Sequence, residues 1–287
     1  MDDLAPLADA FARDGFVRIP GLLDADEIDG FADAVDAAVQ ARTADDRRTL
    51  AEKSRYEQSF LQCINLWEDH PAVRALTFHP RICEVAARLL GAARIRLWHD
   101  QALYKEPGGR ETDAHQDHPY WPIAETDALT AWIPLVDVDA SIGCMGYVPG
   151  SHAVGLRRFV NIFFGEPERV IERPELGGRR PVFVAAQRGD VLFHHSLTVH
   201  LAHANRSGRM RRVHTAIYFR DGVTRAPVGV HQCVDRQGIR PGAAIAGDAT
   251  PIAWPRAPGD LPPVPYAPID PHSIGHRAWP PSAIATP

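Results

Sequence analysis

The spacing of apolar residues predicts helices in the first third of the chain. Asp24 is followed three positions later by Glu27, which is the sequence signature of a capping box at a helix start. Apolar residues then recur at intervals of three and four and form one stripe of a helix. The members of this stripe are Ile28, Phe31, Val35 and Val39. A second predicted helix begins at Pro80 and stops at Gly91.

Alternating apolar and polar residues predict strands in the rest of the chain, after one short early strand at 15–21. Gly, Pro and Asp residues separate the alternating segments. The later predicted strands lie at 94–105, 129–136, 182–185, 190–195 and 213–219. Short strands behind a helical N-terminal block predict a mainly β protein, with an antiparallel core and helices packed outside it.

Two segments do not fit this scheme of strands. The segment 155–181 is charged, contains a small aromatic cluster, and is predicted to be a long insertion of the kind that often forms a lid. The tail 250–287 is dense in proline and is predicted to stay out of the centre of the sheet and to lie on the surface. We therefore predict a single domain over 1–287, with a mostly helical part at 1–93 and the β core at 94–225.

Composition excludes several classes of protein. The chain has 287 residues, of which 45% are hydrophobic and 23% charged, so a folded globular domain is expected. The net charge of −5 argues against a general nucleic-acid binder. No segment approaches the roughly 20 apolar residues of a membrane helix, and the N-terminus lacks a signal-peptide pattern. The four cysteines form no C-x-x-C pair, which favours free thiols and a cytoplasmic location.

Histidine spacing points to a metal site. The chain has 14 histidines, and the sequence His115-Gln116-Asp117 places an imidazole and a carboxylate on one face of an extended segment. A third ligand would come from the segment 189–212, where the candidates are His194, His195, His200 and His203. Two histidines and one carboxylate form the facial triad of non-haem Fe(II) oxygenases, which leaves three adjacent coordination positions open.

Four segments, in order, carry a resemblance to a known family. They are FARDGFVRIPGLLDADEI at 11–28, LYKEPGGRETDAHQDHPYWP at 103–122, LTAWIPLVDVDASIGCMGYVPGSH at 129–152 and HLAHANRSGRMRR at 200–212. Together they resemble the phytanoyl-CoA dioxygenase family of Fe(II)/2-oxoglutarate oxygenases. The resemblance implies a double-stranded β-helix core, also called a jelly roll or cupin-like fold, and it covers most of the chain.

The resemblance also implies a ligand set for the metal. His115 and Asp117 match the proximal pair of the family. His200 matches the distal histidine, because Asn205, Ser207 and Arg211 follow it at the family's offsets. The implied cofactors are Fe(II), the co-substrate 2-oxoglutarate, and O2.

Further positions match residues that bind the co-substrate in the family. Arg211 is implied to pair with the distal carboxylate of 2-oxoglutarate, which a planar guanidinium binds through two parallel hydrogen bonds. Arg209 is the alternative if the loop register differs. Trp132, Gln101 and Lys105 match residues lining that pocket. The family usually has a serine two residues after the distal histidine, but this chain has Ala202, so either co-substrate affinity is weaker or Thr130 or Lys105 compensates.

Substrate contacts are expected from His118, Tyr120, Trp121 and Phe163. Each has a plainer interpretation, since His118 would also suit a solvated loop, the pair Tyr120 and Trp121 a packed turn, and Phe163 an anchor for the insertion. The implied function is oxidation of a small-molecule metabolite, most simply hydroxylation, with succinate and CO2 released. Related halogenases lack the carboxylate that Asp117 provides, which favours hydroxylation over halogenation.

Two other functions use the same residues. A catalytically inactive jelly roll that binds a metabolite would have no need of all three ligand types and the arginine. In a Zn(II)-dependent hydrolase using the same His/Asp/His site, Arg211 and Trp132 would have no function. The expected partner is a small molecule in each case, and the sequence assigns no oligomeric state.

Overall fold

The computed structural model describes residues 4–156, 160, 162, 169–257 and 259–266. Its helices, apart from the last, precede the β core in the chain, as the apolar spacing predicted. They are α1 (Ala5–Asp14), α2 (Ala25–Thr43), α3 (Leu66–Asp69), α4 (Pro71–Thr77), α5 (Pro80–Leu89) and α6 (Gln232–Asp235). Within the described ranges, no helix combines the length and the apolar character needed to cross a bilayer.

The predicted helix starts and stops are confirmed. Asp24 accepts a hydrogen bond from the Glu27 backbone N–H, and the Glu27 carboxylate accepts one from the Asp24 backbone N–H, so the capping box closes. Helix α5 begins at Pro80, and Gly91 follows its end with a φ of 55°, a value that favours glycine. Both helices pack their apolar faces on the outer side of the larger sheet.

Two antiparallel sheets form the core, which confirms the jelly-roll fold class. The strands are β1 (Phe16–Ile19), β2 (Leu61–Ile64), β3 (Ile95–Tyr104), β4 (Thr112–His115), β5 (Ala128–Pro134), β6 (Met145–Tyr147), β7 (Val182–Val184), β8 (Val191–His195), β9 (His200–Ala202), β10 (Val213–Arg220) and β11 (Ile252–Trp254). The larger sheet has the order β1-β8-β5-β10-β3-β11, with β2 also paired to β3. The smaller sheet has the order β4-β9-β6-β7.

Strand β5 shows how the sheet separates core from cavity. Leu129, Ala131 and Ile133 point to the outer face, where the helices cover them. Thr130 and Trp132 alternate with them and line a cavity on the inner face. The central strand of the larger sheet therefore carries both the packing that stabilises the fold and two side chains of the candidate site.

A β-bulge changes this alternation on β3. In the pairing with β10, Ile217 lies opposite His99 and Tyr218 lies opposite Leu97, so Trp98 is an extra residue. Leu97 packs on the outer face, whereas Trp98 packs with Ile217 on the inner face. As a result, the adjacent residues Trp98 and His99 both face inward.

The proline-rich tail departs in part from its prediction. It was expected to lie on the surface, and it does stay out of the centre of the sheet. Residues Ile252–Trp254, however, form β11, which pairs with β3 at the edge of the larger sheet. An edge strand tolerates flanking prolines because only one of its sides needs backbone donors.

Candidate metal centre and its cavity

Strands β4 and β9 bring two distant histidines together. His115 lies directly opposite His200 in the register of these strands, with ring centroids 4.3 Å apart. Nδ1 of His115 lies 2.8 Å from the Asp113 carbonyl oxygen, and Nδ1 of His200 lies 3.0 Å from the Thr198 carbonyl oxygen. Because a carbonyl oxygen only accepts, each Nδ1 carries the proton and each Nε2 keeps its lone pair for a metal.

A carboxylate completes the cluster. Asp117 Oδ1 lies 3.6 Å from His115 Nε2 and 3.5 Å from His200 Nε2. Its other oxygen, Oδ2, accepts a hydrogen bond of 2.9 Å from the Thr130 hydroxyl and one of 3.1 Å from His194 Nε2. Thr130 and His194 are direct partners across β5 and β8. Together they fix one carboxylate oxygen and turn the other toward the two imidazoles.

The backbone reaches this arrangement in a different way from the one the spacing suggested. The prediction placed His115 and Asp117 on one face of an extended segment. Strand β4 instead ends at His115, and Asp117 has helical backbone angles at the start of a 3-10 turn over His118–Tyr120. The turn, rather than strand periodicity, delivers the carboxylate.

Burial sets the protonation states of the cluster. It lowers the pKa of both His115 and His200 to about 4. Burial would raise the pKa of Asp117, but the neighbouring His200 and His194 outweigh it and hold that pKa well below its usual range. Neutral imidazoles and an ionised carboxylate at pH 7 are the forms that bind a metal. The three ligand atoms lie within 4.8 Å of one another, and the donor set of two nitrogens and one oxygen suits Fe(II).

The cluster opens into a cavity of about 130 Å³. Most of the predicted site residues border it. They are Gln101, His115, Asp117, Tyr120, Trp121, Thr130, Trp132, His200 and Arg211. Lys105 and His118 do not border the cavity, and Phe163 lies outside the described residues.

Arg211 is a buried cation that borders this cavity. Its side chain donates a hydrogen bond of 2.8 Å from Nη1 to the Gly143 carbonyl oxygen, and its guanidinium carbon lies 5.7 Å from the Trp132 ring centroid. Its Nε is buried without a hydrogen-bond partner in the described part of the chain. Burial lowers the pKa of Arg211 to about 10, so the group stays charged at pH 7. A buried cation with an unused donor fits an incoming carboxylate.

The backbone at Gly143 allows this anchoring. Gly143 has a φ of 96°, and a Cβ there would lie 2.7 Å from the His203 carbonyl oxygen, so only glycine fits. Arg209, the alternative to Arg211, is exposed and borders a separate surface depression. The geometry therefore favours Arg211 for a buried carboxylate.

Lys105 is turned away from the cavity by its own hydrogen bonds. Its Nζ donates to the carbonyl oxygens of Arg110 at 2.6 Å and His203 at 3.0 Å. Gln101 does border the cavity, and its Oε1 accepts a hydrogen bond from Gln62. Thr112 also borders the cavity and lies directly opposite Ala202 in the pairing of β4 with β9.

The remaining candidate histidines lie elsewhere. His195 Nδ1 accepts a hydrogen bond of 3.1 Å from the Leu197 backbone N–H, and the His203 ring stacks on Phe183 at 3.7 Å. His118 is buried, with its ring 6.4 Å from that of Trp121. None of these three histidines contributes to the three-residue cluster.

Several cavity residues had no signal in the sequence. They are Tyr56, Phe60, Gln62 and Ile64 around β2, together with His99, Met145, Thr215 and His231. Strand β2 is four residues long, too short for its alternation to stand out. His99 faces the cavity because of the bulge, and His231 belongs to a loop that only tertiary packing places.

Known proteins share this fold. The family model described as Phytanoyl-CoA dioxygenase (PhyH) matches residues 11–213. The non-heme alpha ketoglutarate dependent carbocyclase SnoK from nogalamycin biosynthesis is 31% identical, with a TM-score of 0.72 over 88% of this chain and 96% of SnoK. The epimerase SnoN, solved in complex with Fe3+, alpha ketoglutarate and nogalamycin RO, is 30% identical, with a TM-score of 0.72 over 87% of this chain and 98% of SnoN.

A curated relative gives a shorter match. The phytanoyl-CoA dioxygenase of Arabidopsis thaliana is 27% identical over 156 residues, which are 52% of this chain and 53% of the relative. The chain thus spans about half the length of the curated relatives that it matches in this way. Residues after 213, which include α6 and β11, lie beyond the matched family region.

Proposed function

Since the chain belongs to the phytanoyl-CoA dioxygenase family, we propose that it is an Fe(II)- and 2-oxoglutarate-dependent oxygenase acting on a small-molecule metabolite. The simplest reaction is hydroxylation of a C–H bond, with succinate and CO2 as co-products. One observation carries this proposal: the cluster of His115, Asp117 and His200 shares a single cavity with the buried cation Arg211.

The cluster would hold the iron through His115 Nε2, Asp117 Oδ1 and His200 Nε2. Iron bound there supplies the activation of O2 that the protein's own side chains lack. The protein keeps both imidazoles in the correct tautomer through the carbonyl oxygens of Asp113 and Thr198. Three ligands on one side leave the cavity side open for co-substrate and O2.

Arg211 would bind the distal carboxylate of 2-oxoglutarate. The Gly143 carbonyl oxygen and the Trp132 ring hold the guanidinium in one orientation, so little side-chain freedom is lost on binding. Burial strengthens the pairing because the local dielectric is low.

Thr112 is a further contact that we assign to the co-substrate. The family's usual serine is replaced here by Ala202, and Thr112 presents a hydroxyl on the cavity wall directly across from it. The two residues proposed from the sequence to compensate have other partners, since Thr130 donates to Asp117 and Lys105 donates to backbone carbonyls. The Thr112 hydroxyl accepts a long hydrogen bond of 3.4 Å from Lys105 Nζ but keeps its own proton to donate, so we take Thr112 as the source of the missing hydrogen bond.

The roles of the similar proteins SnoK and SnoN support a role in metabolite tailoring. SnoK and SnoN belong to nogalamycin biosynthesis and are a carbocyclase and an epimerase. The same scaffold thus supports more than one oxidative outcome, and hydroxylation is proposed here as the simplest. The carboxylate of Asp117 favours this outcome over halogenation.

The test is anaerobic titration of Fe(II) and 2-oxoglutarate into the purified protein, followed by visible absorption. We expect a charge-transfer band that requires both additions, and succinate formation once O2 and a substrate are admitted. R211A should shift the band's 2-oxoglutarate dependence to higher concentration. A zinc hydrolase or an inactive binding protein would show no band, and that result would overturn the proposal.

A further inference from the structure

One wall of the cavity includes a residue from outside the matched family region. His231 borders the cavity and precedes α6, whose residues Cys233 and Val234 are fully buried. The Cys233 thiol donates a hydrogen bond of 2.9 Å to the Trp98 carbonyl oxygen, which ties this segment to β3. The wall therefore joins Trp98 and His99 of the family region to His231, which lies after it.

Three rings are stacked in this wall. The His231 ring lies 4.5 Å from the Trp98 ring at an interplanar angle of 28°. It also lies 5.4 Å from the His99 ring at 18°. The bulge on β3 is what turns both Trp98 and His99 inward, so the backbone irregularity serves this stack.

Hydrogen bonds fix the tautomer of each histidine. The Cys233 backbone N–H donates to His231 Nδ1 at 3.2 Å, so in neutral His231 the proton is on Nε2. Nδ1 of His99 lies 3.2 Å from the Asp100 carbonyl oxygen, which only accepts, so His99 carries its proton on Nδ1. Burial lowers the pKa of His99 to about 4 and that of His231 well below its usual value, so both rings are neutral at pH 7. His99 therefore has an acceptor nitrogen at Nε2.

Few acidic or basic side chains border the cavity. Among the described residues that border it, Asp117 and Arg211 are the acidic and basic side chains, and both are assigned to the proposed metal and co-substrate site. The lining also includes the aromatic side chains of Tyr56, Phe60 and Trp121. Such a lining favours flat, uncharged molecules, because Arg211, the basic side chain in it, is assigned to the co-substrate.

We propose that the substrate is a neutral, planar ring compound carrying a hydroxyl group, and that His99 Nε2 accepts a hydrogen bond from that hydroxyl. The aromatic wall packs on the ring, and the stacked His231 holds the His99 ring in place. Naming this molecule the substrate rests on the proposed oxygenase function, but the binding itself does not.

The experiment measures binding of three matched probes to the full-length, metal-free chain by quenching of tryptophan fluorescence. The probes are 2-naphthol, 2-methoxynaphthalene, which lacks the donor, and 2-naphthoate, which is anionic. We expect 2-naphthol to bind at least about tenfold more tightly than either of the others, the scale of one hydrogen bond or one unpaired buried charge. Equal binding of 2-methoxynaphthalene, equal binding of 2-naphthoate when excess 2-oxoglutarate occupies Arg211, or absence of saturable 2-naphthol binding would overturn the proposal.

Substitutions assign the effect to His99. H99F keeps a ring in the stack but removes the acceptor, and should weaken 2-naphthol about tenfold while leaving 2-methoxynaphthalene unchanged. H99Q keeps an acceptor and should retain most of the preference for 2-naphthol. It also tests the proposal if H99F does not fold. Unchanged 2-naphthol preference in a folded H99F would overturn the assignment. Because no metal is present, probe selectivity without the anaerobic absorption band would reject the oxygenase function and leave this binding site standing.

Discussion

His115 and His200 lie directly opposite each other on neighbouring strands, with ring centroids 4.3 Å apart. Backbone carbonyl oxygens two residues earlier orient both rings, so their Nε2 atoms converge on Asp117. A cluster held in this way needs little reorganisation when a metal binds, which raises its affinity.

The first prediction concerns Asp117. We expect D117A to abolish succinate formation and metal binding, because it removes the anionic ligand from a buried site. Ni(II) should raise the melting temperature of the wild-type protein, since a ligand that binds only the folded state stabilises it, and this shift should vanish in D117A. Thermal unfolding followed by circular dichroism measures the Ni(II)-induced shift in the wild-type protein and in D117A. An undiminished shift, or surviving turnover, would refute the ligand assignment.

The second prediction concerns the two residues that hold Asp117. T130V and H194Q each weaken the hydrogen bonding to Asp117 Oδ2, so the carboxylate can rotate. Loss of such a supporting hydrogen bond typically costs about 10- to 100-fold in metal affinity. Calorimetric titration with Ni(II) measures this, with T130S as the matched control that keeps the hydroxyl. Wild-type affinity in T130V and H194Q would show that Asp117 needs no such support.

The third prediction separates two arginines. R211A should raise the KM for 2-oxoglutarate at least about tenfold, because a hydrogen-bonded charge pair is worth about 1.5–3 kcal/mol. R209A should leave that KM unchanged, since Arg209 is exposed on the surface. Steady-state assays with varied 2-oxoglutarate test both. The opposite pattern would place the co-substrate at Arg209.

The fourth prediction concerns Thr112 and Ala202, which face each other across β4 and β9. T112V keeps the shape but removes the hydroxyl, and should raise the KM for 2-oxoglutarate about three- to tenfold, the value of one neutral hydrogen bond. T112S should remain near wild type. Adding A202S to T112V should restore affinity, and a KM unaffected by T112V would remove Thr112 from the co-substrate site.

The fifth prediction concerns acid stability. Burial, reinforced by His152, lowers the pKa of His195 to about 4, and the Leu197 N–H bond also favours the neutral ring. The unfolded pKa is about 6.5, so the unfolded state binds the proton first and stability is lost as pH falls from about 6.5 to about 4. Between pH 7.5 and 5, His195 accounts for at most about 2 kcal/mol of the loss in the free energy of unfolding.

H195N tests this share, because asparagine can still accept the hydrogen bond but cannot be protonated in this range. Urea unfolding at the two pH values should show a smaller loss of stability for H195N than for the wild-type protein. An equal loss in both would mean that His195 does not contribute to the pH dependence.

Much of the fold follows from local sequence patterns. The capping box at Asp24, the apolar stripe of α2, and the alternation of β5 each express a rule that operates within a few residues. The sequence pattern misses the short strands β2, β4, β6 and β9, and it finds the equally short β1 and β7 beside Pro20-Gly21 and Pro181. Strand β2 pairs with the longer β3, whereas β4, β6 and β9 pair among themselves and with β7, so only the tertiary fold places them.

The candidate site likewise contains residues that the sequence indicates and residues that only the tertiary structure places. His115, Asp117, His200 and Arg211 belong to motifs that keep their spacing, so the sequence could indicate them. The orientation of Lys105 depends on carbonyl oxygens from two other segments, and no local pattern reports this. His231 reaches the cavity because α6 packs on Trp98, which is a tertiary contact.

The most direct test of the central claim is an anaerobic crystal structure with Fe(II) and 2-oxoglutarate. The account predicts one iron bound by His115 Nε2, Asp117 Oδ1 and His200 Nε2, with the distal carboxylate of 2-oxoglutarate on Arg211. Iron bound through other residues, or a co-substrate carboxylate far from Arg211, would contradict it.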